Sequence, residues 1–242
     1  INKSSAKRMA VEKQLRLALA NNELHLHYQP IVDIKSGKIT AVEALLRWDN
    51  PELGSISPAQ FVPLAEATGL ILPIGDWVIR TALTQIKSWH DAGLTDLKLS
   101  INISPRHFGS PDLSRTISQT LEQLGLPGEL LELEITESLL LRNQEDTLKA
   151  LQKLRKLGIR IALDDFGAGI SSLTHLKDFP FDSLKINRSF MHAILDQPQD
   201  QALIKATLAM TQGLGIDTVA KGIETQEQLE FLSQQGLSRI QG

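Results

Sequence analysis

Gly158-Ile159-Arg160-Ile161-Ala162-Leu163-Asp164-Asp165-Phe166-Gly167-Ala168-Gly169 is an apolar run that ends on two adjacent carboxylates and opens into a glycine-rich loop. Its first half predicts a buried strand over 159–164. Adjacent strand residues point to opposite faces. Asp164 and Asp165 can therefore share a target only where the strand breaks, and the two glycines after them permit such a break. Taken alone, the same residues read equally well as an acidic loop that caps the next helix through Ser171. What flanks them has to decide the fold.

Upstream, a strand is expected over 97–104, a helix over 113–124 closed by Gly125, a strand over 130–136, and a helix over 144–157 closed by Gly158. Downstream follow a short helix over 171–176, a strand over 183–186, a helix over 201–214, a strand over 217–220, a helix over 226–235 and the start of a last strand at 239–241. The chain begins differently. Met9, Leu15 and Leu19 keep helical spacing over 5–21, and alternating strands over 23–32 and 38–48 flank a Ser36-Gly37 turn, which makes a hairpin. Pro58 opens a helix that runs to Gly69, at the first position that suits proline. Residues 75–91 form another helix, amphipathic through Trp77, Leu83, Ile86 and Trp89. Repeated strand–helix units imply parallel strands joined by crossover helices. About eight strands in about 240 residues fit an α/β, TIM-like (βα)8 barrel, with one antiparallel strand supplied by the hairpin. A doubly wound open sheet is the alternative, but the sequence has no glycine-rich dinucleotide turn to support it. Residues 1–22 are expected to be an N-terminal linker helix and 23–242 the barrel, truncated at its C-terminal end.

Composition narrows the chemistry. The 242 residues carry a net charge of −3 and are 42% hydrophobic, so no broad basic footprint points to nucleic acid. There is no cysteine, hence no disulfide framework and no thiolate metal site, in keeping with a reducing, cytoplasmic setting. No apolar run approaches the roughly 20 residues of a membrane helix, and no signal peptide opens the chain. A sequence that starts at Ile1 and stops at Gly242 is expected to be a piece of a longer protein. The 6 histidines show no ligand-pair spacing and read as structural or surface residues, and Trp48, Trp77 and Trp89 read as core.

Parallel strands, buried on both faces, should be almost wholly apolar. Several here carry polar groups near their C-terminal ends: Glu43, with Leu45 and Arg47 on the same face; Asn102; Glu134; Asp164 and Asp165; Lys185 and Asn187; and Lys221 with Glu224 after the 217–220 strand. Each alone reads as an ion pair or a cap. Strand ends in a barrel converge on one mouth, where active sites sit. Glu43, Asn102, Glu134 and Asp164 would offer three carboxylates and an amide oxygen there, a set suited to Mg2+ or Mn2+. Asp165 would reach a second ion, and two such ions activate water and stabilise the leaving oxygen of a phosphodiester. A Mg-dependent barrel with a lysine base, which abstracts a proton beside a carboxylate as enolase-like enzymes do, is a further reading.

At these residues the chain resembles the EAL family of cyclic di-GMP phosphodiesterases, from about Ala6 to its end. Gln29-Pro30-Ile31 resembles the first-strand signature, and Glu43-Ala44-Leu45-Leu46-Arg47-Trp48 holds the naming motif. Asn102, Glu134-Ile135-Thr136-Glu137, Asp164-Asp165-Phe166-Gly167, Lys185 and Gln241-Gly242 follow in the family's order. The resemblance implies a barrel with one antiparallel strand that opens cyclic di-GMP to linear pGpG with two Mg2+ or Mn2+ ions. It makes Glu43, Asn102, Glu134 and Asp164 ligands of the first metal and Asp165 a ligand of the second. It makes Lys185 the residue that orients the attacking water. Leu45 and Arg47 become contacts to guanine and phosphate, Gln29 and Gln241 pocket residues, and Glu137 the residue that fixes a loop over 165–172. It also implies a homodimer and an upstream sensor or diguanylate-cyclase-like domain in a parent protein that is often membrane-anchored.

The departures set the functional expectation. The family pattern Ala-Glu-Gly-Val-Glu stands here as Ala220-Lys221-Gly222-Ile223-Glu224. A metal ligand or general base is thereby replaced by an ammonium, whose repulsion of a nearby dication amounts to several kcal/mol at intermediate dielectric. Lys221 is expected to take the second metal's place as a fixed cation that holds a ligand phosphate. Asn187 stands where active members usually carry aspartate, and Ala168 and Ile170 stand where threonine and tyrosine are common. A domain that binds cyclic di-GMP with weak or absent hydrolysis is expected ahead of an active phosphodiesterase, with the enolase-like enzyme remote.

Overall fold

In the computed structural model, which describes residues 3–140, 144–167, 179–192 and 194–242, the hairpin and the strand–helix repeats close into one barrel. Helix α1 (Lys3–Ala18) precedes the hairpin of β1 (Leu24–Asp33) and β2 (Ile39–Asn50). A short β3 (Gly54–Ile56), α2 (Pro58–Thr68) and α3 (Ile71–Asp91) follow. Next come β4 (Lys98–Asn102), α4 (Pro105–Phe108), α5 (Leu113–Leu124), β5 (Leu131–Thr136), α6 (Glu137–Leu140), α7 (Gln144–Lys156) and β6 (Arg160–Phe166). The chain ends with β7 (Ser183–Ile186), α8 (Pro198–Leu214), β8 (Asp217–Lys221), α9 (Gln226–Gln234) and β9 (Arg239–Gln241). Around the barrel the order is β1-β9-β8-β7-β6-β5-β4-β2, closed by the β1–β2 pairing, with β3 appended to β2. Among the described strands only β1 runs antiparallel to both of its barrel neighbours. The expected barrel with one antiparallel strand is therefore the one found. No single described helix is long and apolar enough to cross a membrane.

The strand periodicity divides the core in two. Leu99, Ile101, Leu131, Leu133, Ile135, Ile161, Leu163, Leu184 and Ile186 face the helices and join one large apolar cluster. The alternate positions line the barrel interior, where Ile31, Ala41 and Val219 form a separate small cluster. Below it, Ser100 and Ser183 donate to Glu132 at 3.1 and 2.8 Å, and Asp217 is clamped by Arg160 at 2.9 Å and Arg239 at 2.8 Å. Helix α1 docks on this body through Val11, Leu15 and Ala18.

The structure corrects several boundaries. Met9 does not lie on the packed face of α1 but is 66% exposed. Helix α3 starts at Ile71, four residues ahead of the expected 75, because Pro73 falls in the first turn, whose N–H groups have no intrahelical partner in any case. The three- and four-residue elements β3, α4 and α6 are too short to show a period. Strand β6 does not stop at Asp164 but continues to Phe166. The backbone already turns left-handed at Asp165, whose φ is +53°, ahead of Gly167 at +91°, and the β6–β7 register shifts between Leu163 and Phe166. The short helix expected over 171–176, Ala168, Ile170 and most of the 165–172 loop lie outside the described residues.

Candidate functional site

The C-terminal ends of the parallel strands bring most of the expected residues to one mouth. Glu43 on β2 is the hub. Its Oε1 accepts from Asn102 Nδ2 at 2.6 Å, and its Oε2 accepts from Gln241 Nε2 at 2.6 Å and Lys185 Nζ at 3.4 Å. Gln241 Nε2 also donates to Gln29 Oε1 at 3.0 Å. Lys185, with no exposed surface, donates to Glu134 Oε1 as well. On the neighbouring strands, Lys221 Nζ donates to both oxygens of Asp164, at 2.8 and 3.0 Å, and lies 3.8 Å from Asp165 Oδ1. The left-handed turn at Asp165 is what brings two successive carboxylates towards one ammonium, a conformation that aspartate tolerates better than most residues. Asn187 Nδ2 donates to Asp165 Oδ1 at 2.9 Å. An aspartate at 187 would instead set two carboxylates against each other.

Burial and charge act against each other in this cluster. Burial pushes the Glu134 carboxyl up to about 8; Lys185 pulls against it, and Glu43 and Asp164 add to it. Burial also raises Asp164, with Asp165 beside it, against the pull of Lys221. Glu43 feels the same burial, yet Lys185, Lys221 and the amides of Gln241 and Asn102 outweigh it and leave its value lowered. Both lysines are desolvated, but facing carboxylates hold their ammonium forms above the ordinary value. Burial favours the neutral form of Glu134, while the Glu43 and Asp164 carboxylates face the two ammonium groups. The buried charges are thus paired, without which they would cost several kcal/mol each.

The remaining expected residues sit around this centre. Leu45 and Arg47 continue outward along β2 from Glu43, both half-buried, and Arg47 Nη1 donates to the Leu46 carbonyl at 2.9 Å. Glu224 is exposed beyond β8 and does not join the cluster; its backbone N–H donates to Gln228 Oε1 at 2.8 Å. Glu137 opens α6 directly after β5. Sequence alone sets His25 and His27 aside as structural or surface residues. The hairpin register puts them on the same face as Leu45 and Arg47, and the period of two counted back from Gln29 is the signal that marks them.

As a metal site the donor chemistry is right and the arrangement is not. Glu43, Asn102, Glu134, Asp164 and Asp165 offer oxygen, which suits a hard dication. Both Asp164 oxygens are occupied by Lys221, Glu134 and Glu43 are held by Lys185, and Asn102 turns its NH2 towards Glu43. Glu134 Oε2 is buried without a partner among the described residues. Among those residues no three His, Asp or Glu side chains are placed to hold a metal ion. The residues present do not fit a metal pair: the Lys221 ammonium occupies both oxygens of Asp164, expected on the first metal, and lies 3.8 Å from Asp165, expected on the second.

The family model described as the EAL domain matches residues 12–242. The chain belongs to the EAL domain family. Phosphodiesterases of this family are generally dependent on divalent metals. Among curated relatives, the cyclic di-GMP phosphodiesterase NbdA of Pseudomonas aeruginosa is 40% identical over 234 residues, which cover 97% of this chain and 30% of NbdA. Among solved structures, the PaMucR phosphodiesterase in its c-di-GMP complex has a TM-score of 0.92 at 40% identity and is matched over 96% of this chain and 94% of that one. The EAL domain of Xanthomonas citri FimX in complex with c-diGMP has a TM-score of 0.88 at 27% identity, with 99% and 93% covered. This EAL domain spans about a third of the length of the curated relatives it matches.

Proposed function

We propose that this EAL domain binds cyclic di-GMP and hydrolyses it to linear pGpG weakly or not at all. The Lys221 ammonium on Asp164 carries the reading. A cation fixed there can hold a ligand phosphate, but it neither ligates a metal nor accepts a proton while charged, and its pairing with Asp164, Glu43 and Glu134 keeps it charged. Mg2+ or Mn2+ would have to displace it to complete a second site. Asn187 adds to this by removing a negative charge from the same mouth and tying up Asp165. The choice of ligand rests on the relatives, since PaMucR and FimX are solved with c-di-GMP. Arg47 would meet a phosphate with its planar guanidinium, Leu45 a guanine, and Gln29 and Gln241 the ligand's edge. Lys185 and Asp165 are the groups left at the mouth to support residual turnover, with Glu137 steadying the loop beyond β6. The length of the relatives, and the name of MucR as a bifunctional diguanylate cyclase/cyclic di-GMP phosphodiesterase, support an output domain behind a sensor or cyclase-like domain in the same chain; a cytoplasmic setting and a homodimer are carried over from the family resemblance alone.

Turnover of cyclic di-GMP with Mn2+, followed as pGpG by chromatography, tests this for the wild type beside Lys221→Glu, with affinity measured by calorimetry. Both chains are expected to bind. The substituted chain is expected to turn over about a hundredfold faster or more, the scale on which a single catalytic group acts. A wild type that hydrolyses as fast as Lys221→Glu would place Lys221 outside the chemistry and leave an active phosphodiesterase.

A further inference from the structure

We propose that His25 and His27 form a stacking ledge for the second guanine of cyclic di-GMP; the proposal rests on the ligand reading above. The hairpin register pairs Gln29 with Glu43, His27 with Leu45 and His25 with Arg47. Directly opposed residues of an antiparallel pair share a face, and successive residues alternate between faces. This face enters the site, because Gln29 Oε1 and Glu43 Oε2 both accept from Gln241 Nε2. Gln29, His27 and His25 therefore run outward from the mouth alongside Glu43, Leu45 and Arg47. The other face of the hairpin carries Leu24 and Trp48 into the core.

The two imidazoles have little other employment. His27 is exposed and His25 half-exposed. Their ring centroids lie 5.2 Å apart at 55°, a tilt that leaves ring faces open to a third partner. His25 Nε2 reaches Asp49 Oδ2, two residues further out along β2 than Arg47, at 3.5 Å, which steadies one ring. Strand β1 is paired with β2 along its length and with β9 at its end, so the ledge is rigid.

A cyclic dinucleotide carries its two purines at opposite ends of a phosphodiester ring. When one half lies at the carboxylate–lysine cluster, the other half must lie along a wall that leads out of the mouth. The Leu45–Arg47 side of β2 offers an apolar side chain and a guanidinium; the adjoining side of β1 offers two aromatic rings. Purines stack on imidazole as on other aromatic side chains, an interaction worth about tenfold or more in affinity per base.

Calorimetric titration of wild type, His25→Ala/His27→Ala and His27→Phe with cyclic di-GMP and with GMP tests the ledge. The double variant is expected to bind cyclic di-GMP about tenfold more weakly or worse, with GMP affinity unchanged. His27→Phe, which keeps a ring, is expected to stay within about threefold of wild type. The melting temperature of each variant should lie within about 2 °C of wild type, as for exposed positions generally. Cyclic di-GMP affinity unchanged in the double variant overturns the ledge while leaving the ligand reading intact. Equal losses for GMP and cyclic di-GMP, or a His27→Phe chain as weak as the double variant, also overturn it. A wild type that binds no cyclic di-GMP overturns the ligand reading and the ledge together.

Discussion

An ammonium with no exposed surface persists only where carboxylates face it, and Lys185 faces Glu134 and Glu43. Lys185→Met keeps most of the volume and removes the charge. We expect it to lower stability by about 3 kcal/mol at pH 9 in urea unfolding, the cost of stranding buried carboxylates, and by clearly less at pH 6. Burial pushes the Glu134 carboxyl from its ordinary 4.5 up to about 8, and the loss of the Lys185 charge pushes it further. Between those values the folded state binds more protons than the unfolded one, so stability falls as pH rises, at about 1.4 kcal/mol per pH unit for a single group. Equal losses at both pH values would show that Glu134 does not take up the proton. At this scale the sequence was informative about membership and silent about pairing. Asn102, Glu134, Asp164, Lys185 and Lys221 could be placed at one mouth because each sits near a strand end; Glu43, mid-way along β2, shares its face with Leu45 and Arg47, and the family resemblance alone places Gln241 there. That Lys221 would straddle Asp164 and Asn187 would bind Asp165 depends on the turn at Asp165, and nothing in the string Leu163-Asp164-Asp165-Phe166 distinguishes a left-handed aspartate from an extended one.

Among the elements, the β1–β2 hairpin carries the most of the site and is pinned at its open end by Glu23. The Glu23 carboxylate accepts from Trp48 Nε1, Asn50 Nδ2 and Asn21 Nδ2, each at 2.9 Å. The Trp48 hydrogen bond, with the Asn50 and Asn21 amides, holds its value below the usual carboxylate range against burial. A depressed folded value stabilises above the unfolded value and is lost as pH falls through the folded one. Glu23→Ala is expected to cost about 1–3 kcal/mol at pH 7, since it leaves the indole and amide donors without an acceptor. The gap to wild type should close as the pH is taken below the ordinary carboxylate range in thermal melts; a gap that stays constant down to acid would show that the charge contributes nothing. The long elements of this fold were legible because a period of two or of 3.6 needs several residues to declare itself. Strands β4, β5 and β7 illustrate the difficulty in reverse. Their alternation resembles that of a half-solvated antiparallel strand, yet Ser100, Glu132, Glu134, Ser183 and Lys185 are buried, because the polar face lines the inside of a barrel and is satisfied there by its neighbours across the lumen.

For the molecule as a whole, the feature least visible in the sequence is the closure. The alternation of strands and helices gave the class, but the pairing of residues 32 and 33 with 240 and 239 leaves no local pattern, since it joins opposite ends of the chain. Strand β9 is short, yet it pairs with β8 through Val219–Arg239, Ala220–Ile240 and Lys221–Gln241 and with β1, and the Gly222 N–H donates to the Gln241 carbonyl at 2.7 Å. It also carries the Gln241 amide that links Gln29 to Glu43. Closure and site assembly are therefore the same event, and two variants separate their contributions. Gln241→Ala keeps the ladder and loses only the amide, so unfolding should stay cooperative with a loss of about 1–3 kcal/mol. Removal of residues 237–242 also strips buried Leu237 and exposes the edges of β1 and β8, and open edges invite pairing between chains. We expect that chain to melt well below Gln241→Ala, to associate as its concentration rises in light scattering, and to lose cyclic di-GMP binding. If the shortened chain instead melted alongside Gln241→Ala and stayed monodisperse, the eight-stranded closure would contribute nothing beyond one amide, and the barrel would behave as an open sheet that happens to meet itself.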